Sequence, residues 1–133
     1  MSTKKVQPKP SEIVDQEQEA AELRKELLAD MPPLRPARRF RLSHRNAFHN
    51  LSLEALKSRA FDGDMEFNMD KPEDIERFQN LQKFVESIDE WAESIADDPE
   101  AYTLWSEGKT EEHFLALFAD YKDALGESQR SAS

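Results

Sequence analysis

Residues 70–96 read DKPEDIERFQNLQKFVESIDEWAESIA, and this stretch decides the fold class. Ile75, Phe78, Leu81, Phe84, Val85, Ile88, Trp91, Ala92 and Ile95 recur every three or four residues. A helix with 3.6 residues per turn brings such positions onto one wide face. Glu76, Gln79, Lys83, Glu86, Glu90 and Glu93 fall on the other side, where water solvates them. Asp70 and Glu73 have the spacing of a capping box, and Pro72 sits in the first turn, where its missing N–H costs little. The pattern predicts an amphipathic helix from Asp70 to Ala96, which has to bury its apolar face against other elements.

Towards the C-terminus, Asp97-Asp98-Pro99-Glu100 punctuates the chain and opens a short helix, capped by one of the two aspartates. That helix carries Tyr102, Leu104 and Trp105, and Gly108 closes it. Thr110-Glu111-Glu112 starts the last helix with acids where the helix dipole favours them. Its apolar face is Phe114, Leu115, Leu117, Phe118, Tyr121 and Leu125; Gly126 is the expected terminator, and residues 127–133 form a flexible polar tail. Towards the N-terminus, Phe61–Met69 reads as a turn around Asp62-Gly63-Asp64, preceded by a helix from Asn46 to Ala60 bearing Phe48, Leu51, Leu53, Ala55 and Leu56, with Ser52 as an alternative start.

Residues 31–45 change character. Pro32, Pro33 and Pro36 enforce extended backbone, and Phe40 and Leu42 then alternate with Arg39 and Arg41 at the two-residue period of a strand or docked arm. A Pro/Arg-rich extended linker lying across a surface is expected there. Before it, residues 11–30 form an N-terminal helix capped by Ser11 and stopped by Met31-Pro32-Pro33. Its stripe, Ile13–Ala20–Leu27 with Val14–Ala21–Leu28, is narrow. Residues 1–10, with two prolines and three lysines, are expected to be a disordered arm. The whole is predicted to be all-α: four to five helices, with the helical domain over residues 46–126.

Apolar residues make up 38% of the 133 and charged ones 35%, so the core must be thin. There is no cysteine, which excludes disulfides, thiolate metal sites and a thiol nucleophile. No apolar run approaches the roughly 20 residues of a membrane span, and the lysines near the N-terminus have no apolar segment behind them, so a cytosolic protein is expected. Charge is uneven. Residues 1–45 hold ten Lys/Arg against seven Asp/Glu, while residues 46–133 hold eight against twenty-one. The bulk sign repels nucleic acid and anionic membrane. The basic front is expected to meet the acidic rear, in the same chain or in a neighbouring copy.

Few groupings could carry chemistry. Asp62, Asp64, Glu66, Asn68, Asp70 and Glu73 fall on the ligand positions of a twelve-residue calcium loop, but its sixth position, which needs glycine, is Phe67. The plainer reading is an acidic loop whose last acids cap the next helix. Arg35, Arg38, Arg39, Arg41 and Arg45 around Phe40 suit a contact with acidic protein surface better than RNA, given the anionic remainder. His44, His49 and His113 lack the spacing of a metal pair on one helical face. No glycine-rich phosphate loop exists, and the carboxylates lie on solvated faces. No catalytic residue, cofactor or metal is expected. The aromatic stripe is expected to supply mainly core, with Trp91, Trp105, Phe114, Phe118 and Tyr121, together with Arg38, Arg39, Phe40 and Arg41, as candidates for partner binding.

The segment DPEAYTLWSEGKTEEHFLALFADYKDALGES, residues 98–128, following a Trp-bearing acidic helix, resembles the tail assembly chaperones of long-tailed phages of actinobacterial hosts. LRPARRFRLSHRNAF, residues 34–48, resembles them too, so the likeness spans about residues 34–131. It implies a host-cytoplasmic protein, left out of the mature virion, that binds the tape measure protein and keeps it soluble while tail-tube subunits polymerise around it. Such chaperones come in a short form and a frameshifted longer form. The resemblance makes this chain the short form, with the shift near Leu125–Ser128, and gives as partners the tape measure protein, the longer form and further copies of itself. The competing expectation from the residues is an acidic helical adaptor or regulator that masks a basic partner protein.

Overall fold

The computed structural model describes the backbone of residues 10–59 and 66–132, and the side chains of residues 18–59 and 66–126. Among them the chain is all-α: α1 (Pro10–Leu27), α2 (Leu42–Ser58), α3 (Pro72–Ser94), α4 (Pro99–Ser106) and α5 (Glu111–Ala132), with a 3-10 turn at Ala37–Arg39. The turn expected around Asp62-Gly63-Asp64, and residues 1–9 of the expected arm, lie outside the described residues.

The helix read first from the sequence organises the rest. α3 packs against α2, α4 and α5, and α5 in turn carries α1 and the 3-10 turn. Leu81, Phe84, Val85, Ile88, Trp91, Ala92 and Ile95 are buried, while Ile75, at the exposed N-terminal end of the same stripe, is not. Phe48, Leu51 and Ala55 of α2, Tyr102 and Trp105 of α4, and Phe114, Leu117, Phe118 and Tyr121 of α5 complete the core. Phe118 joins the layers, stacked on Phe48 at 5.2 Å and edge-on to Phe84 at 5.1 Å. Phe84, Ile88, Tyr102 and Leu117 are fully buried. Burial of that kind contributes about 1.5–3 kcal/mol per apolar side chain, enough for a few such residues to hold a thin core. Asn80 Nδ2 donating to the Ser58 carbonyl (3.0 Å) and Ser87 Oγ donating to Glu54 (2.7 Å) tie α2 to α3 at their rim.

Several boundaries depart from expectation, each for a local reason. α3 is not capped by Asp70 and Glu73. The N-cap position falls on Lys71, whose side chain makes no capping bond. Asp74 in the first turn instead accepts from the Asn68 N–H at 2.9 Å, and the Asn68 side chain accepts from the Asp70 N–H, so these groups hold the preceding loop against the start of the helix. α2 starts at Leu42, not Asn46, because His44 Nδ1 accepts the Arg41 N–H at 3.0 Å. A histidine thus takes the third-position role usually held by glutamate. His113 does the same for Thr110 at the start of α5. α4 begins as expected, with Asp98 accepting from the Ala101 N–H. Gly108 closes the segment with φ +78°, a conformation that costs other residues more. Gly126 does not end α5: the helix runs through it to Ala132, a glycine inside a helix costing only about 1 kcal/mol. α1 ends at Leu27, three residues early, as Leu28 and Met31 turn onto the core.

The Pro/Arg-rich segment crosses the α3–α4 junction as a strap. Leu34 pairs with Ala96 in one antiparallel bridge. The Arg35 N–H donates to the Ile95 carbonyl (2.8 Å), and the Asp97 N–H donates to the Pro33 carbonyl (3.1 Å). Extended backbone ends at Pro36, giving way to the 3-10 turn and then α2, so the linker stops short of Arg45.

Candidate protein-interaction surface

The nine residues singled out for partner binding separate into two groups. Arg38, Arg39 and Arg41 are exposed, on the 3-10 turn and at the start of α2. Phe40, Trp91, Trp105, Phe114, Phe118 and Tyr121 are each 6–8% exposed and belong to the core. Their burial leaves almost none of their surface for another protein, so these six aromatics act inside the fold. Phe40 turns inward between the arginines because it stacks on Tyr121 (5.6 Å between centroids), with Trp91 edge-on to both.

The polar ends of these rings serve as joints. The Tyr121 hydroxyl donates to the Arg35 carbonyl at 2.6 Å and fastens the strap to α5. Burial, and then the nearby charges of Asp120 and Asp97, push its pKa up. Tyr102 donates to Asp89 at 2.7 Å, and its pKa rises through burial and that carboxylate. Trp105 Nε1 donates to Asp30 at 2.9 Å, joining the end of α1 to α4, and this bond is the main cause holding the Asp30 carboxyl below the usual range. Lys109 lies over the Trp105 ring at 5.1 Å and 3.9 Å from Asp30. Trp91 Nε1 finds no acceptor among the described residues, a cost of about 1–3 kcal/mol accepted for close packing of its ring against Phe48 and Tyr121.

A groove of about 590 Å³ lies between the strap and α5, lined by residues including Pro33, Leu34, Ala37, Arg38, Asp120 and Tyr121. Arg38 and Asp120 are its charged members, and the buried Tyr121 hydroxyl is committed to the Arg35 carbonyl. Among the described residues no three His, Cys, Asp or Glu are grouped to hold a metal ion, and no helix is long and apolar enough to cross a membrane.

The exposed apolar surface is concentrated elsewhere. Leu42 (70% exposed), Leu53 (48%) and Leu56 (74%) stand on the side of α2 turned away from Phe48, Leu51 and Ala55. Sequence reading missed them because Leu42 fell within the expected linker, and Leu53 and Leu56 were grouped with Phe48, Leu51 and Ala55 as apolar residues of one helix without a face being assigned. The signal was nonetheless present: Leu51 and Leu53, two apart, are about 200° from one another around a helix.

Compared with protein-family models, curated proteins and solved structures, the chain matches none. Function has to be argued from the residues themselves.

Proposed function

We propose that this chain is a non-catalytic tail assembly chaperone of a long-tailed phage, which binds the tape measure protein in the host cytoplasm and keeps it soluble while the tail tube polymerises around it. Two things support it: the likeness of residues 34–131 to such chaperones and, in the structure, the row of outward leucines on α2. That row is the observation that carries the reading. A helical protein with Phe48, Phe84, Trp91 and Phe118 closed into its core has no need of exposed leucine for its own stability, whereas a chaperone of long apolar helices needs such a face. The acids on the outward side of α3, among them Glu76, Glu86, Glu90 and Glu93, are exposed and would keep a coated complex dispersed. A longer form sharing this body would bring the same face to the growing tube.

The test is co-expression with the long helical reading frame encoded downstream, followed by affinity capture and sizing. A soluble partner eluting with many copies of this chain is the expected result. If the partner stays insoluble and the chain runs alone, the proposal fails and the acidic adaptor, masking a basic protein with its α3 face, takes its place.

A further inference from the structure

The outer face of α2 carries a spacing that the core does not use. Leu42, Asn46, His49, Leu53 and Leu56 follow one another by four, three, four and three residues, and all five are exposed. At 1.5 Å per residue they mark a stripe about 21 Å long. The core contacts of the same helix, Phe48, Leu51 and Ala55, lie on the opposite side. Alternating steps of three and four are the seam of a two-stranded coiled coil, here leucine, asparagine, histidine, leucine, leucine at d, a, d, a, d.

The positions flanking that seam say what fits it. They are Ser43, Arg45, Asn50, Ser52 and Lys57, with no acid among them, in a chain whose net charge is −10. Flanking charges set partner choice in paired helices. Two α2 helices laid together would bring only basic and neutral flanks to the seam, leaving Arg45 and Lys57 without an acid to pair, so charge gives a second copy no attraction there. A helix with acidic flanks is complementary. Asn46, at an a position, adds a polar layer that fixes register against a polar residue opposite.

We propose that this face of α2 docks an amphipathic helix of the partner protein, one with apolar residues at alternating three- and four-residue steps and Glu or Asp on both flanks. Only the identification of that helix with a segment of the tape measure protein rests on the chaperone reading. The docked helix covers Leu42, Leu53 and Leu56, and Arg45 and Lys57 pair with its acids.

The probes are two labelled synthetic peptides of about four heptads, leucine-seamed with one asparagine, one flanked by glutamate and the other by lysine. Fluorescence anisotropy with the full chain at low salt is expected to show binding of the glutamate peptide alone. Leu53→Ser with Leu56→Ser weakens it by about tenfold or more, while Leu104→Ser on α4 leaves it unchanged. Arg45→Glu with Lys57→Glu reverses the preference between the peptides. Circular dichroism checks that these outward substitutions leave the fold intact. Equal binding of both peptides, failure of both to bind, or binding that survives the leucine substitutions overturns the assignment. So does a chain that dimerises unaided and becomes monomeric on Leu53→Ser with Leu56→Ser, since the occupant is then a second copy. Co-expression separates the two proposals. A tape measure protein solubilised equally by the native chain and the leucine variant overturns the α2 face and leaves the chaperone standing. Peptide binding as expected beside an insoluble tape measure protein does the reverse.

Discussion

Replacing Tyr121 by phenylalanine removes one hydroxyl from a ring that otherwise keeps every contact. That hydroxyl donates to the Arg35 carbonyl at 2.6 Å, while the ring is stacked on Phe40 and edge-on to Trp91. A typical intramolecular hydrogen bond contributes about 0.5–1.5 kcal/mol net, and an acceptor left buried adds to the loss. Arg35 is half-buried, so water reaches part of its surroundings, and the expected cost is about 1–1.5 kcal/mol. For a chain of this size that is a fall in Tm of roughly 3–6 °C. Tyr121→Ala also removes the buried ring and is expected to cost about 3–5 kcal/mol. Urea unfolding by circular dichroism measures both. Hydrogen exchange adds the location: in Tyr121→Phe the Arg35 and Asp97 amides, which bond to Ile95 and Pro33, are expected to lose protection before the centre of α3 does. Two results refute this account. One is Tyr121→Phe costing as much as Tyr121→Ala; the other is undiminished protection of the strap amides.

The two tyrosines also predict a loss of stability in alkali. Burial raises both pKa values, with the Asp89 bond adding to the rise at Tyr102 and the charges of Asp120 and Asp97 at Tyr121, whereas the unfolded chain ionises them at about pH 10. Their contribution is therefore whole below about pH 10 and falls as pH rises beyond it, by at most about 1.4 kcal/mol per pH unit per tyrosine, and by about half that once solvent near each hydroxyl is allowed for. Urea midpoints at about pH 9 and pH 11 check this against the double Tyr→Phe variant, and tyrosinate absorbance appearing while the helical signal is intact contradicts it. Asp98→Ala is expected to cost about 1 kcal/mol through the lost cap on α4, with Asp98→Asn close to native; equal urea midpoints for all three chains would rule the cap out.

How much of this was legible beforehand follows from the range of the forces involved. α3 was readable because its burial pattern and its helical period coincide over most of its length, and α4 because Asp98 and Pro99 mark its start. The start of α2 was not, since Phe40 and Leu42 satisfy a two-residue period as well as a helical one, and a capping histidine is an unusual signal. Gly126 misled for a different reason: its local preference is worth only about 1 kcal/mol, less than the helix around it supplies. The candidate surface was legible only in part. Arg38, Arg39 and Arg41 are where a basic contact would be sought, but the aromatics grouped with them are buried, and the leucines of α2 stand outside.

The helical class, the amphipathic face of α3, the start of α4 and the turn at Gly108 were settled by the sequence alone, because each depends on groups within about a turn of one another, although only the structure chose Asp98 over Asp97 as the α4 cap. The strap was settled by tertiary structure. Its course across the α3–α4 junction depends on Tyr121 reaching Arg35, 86 positions away, and the end of α1 on Trp105 reaching Asp30, 75 positions away. Tertiary structure likewise decided which apolar residues meet water. A hydrophobic side chain is driven out of water by whatever surface is at hand, without regard to direction or sequence distance, so only the assembled helices distinguish Leu51 inside from Leu53 outside.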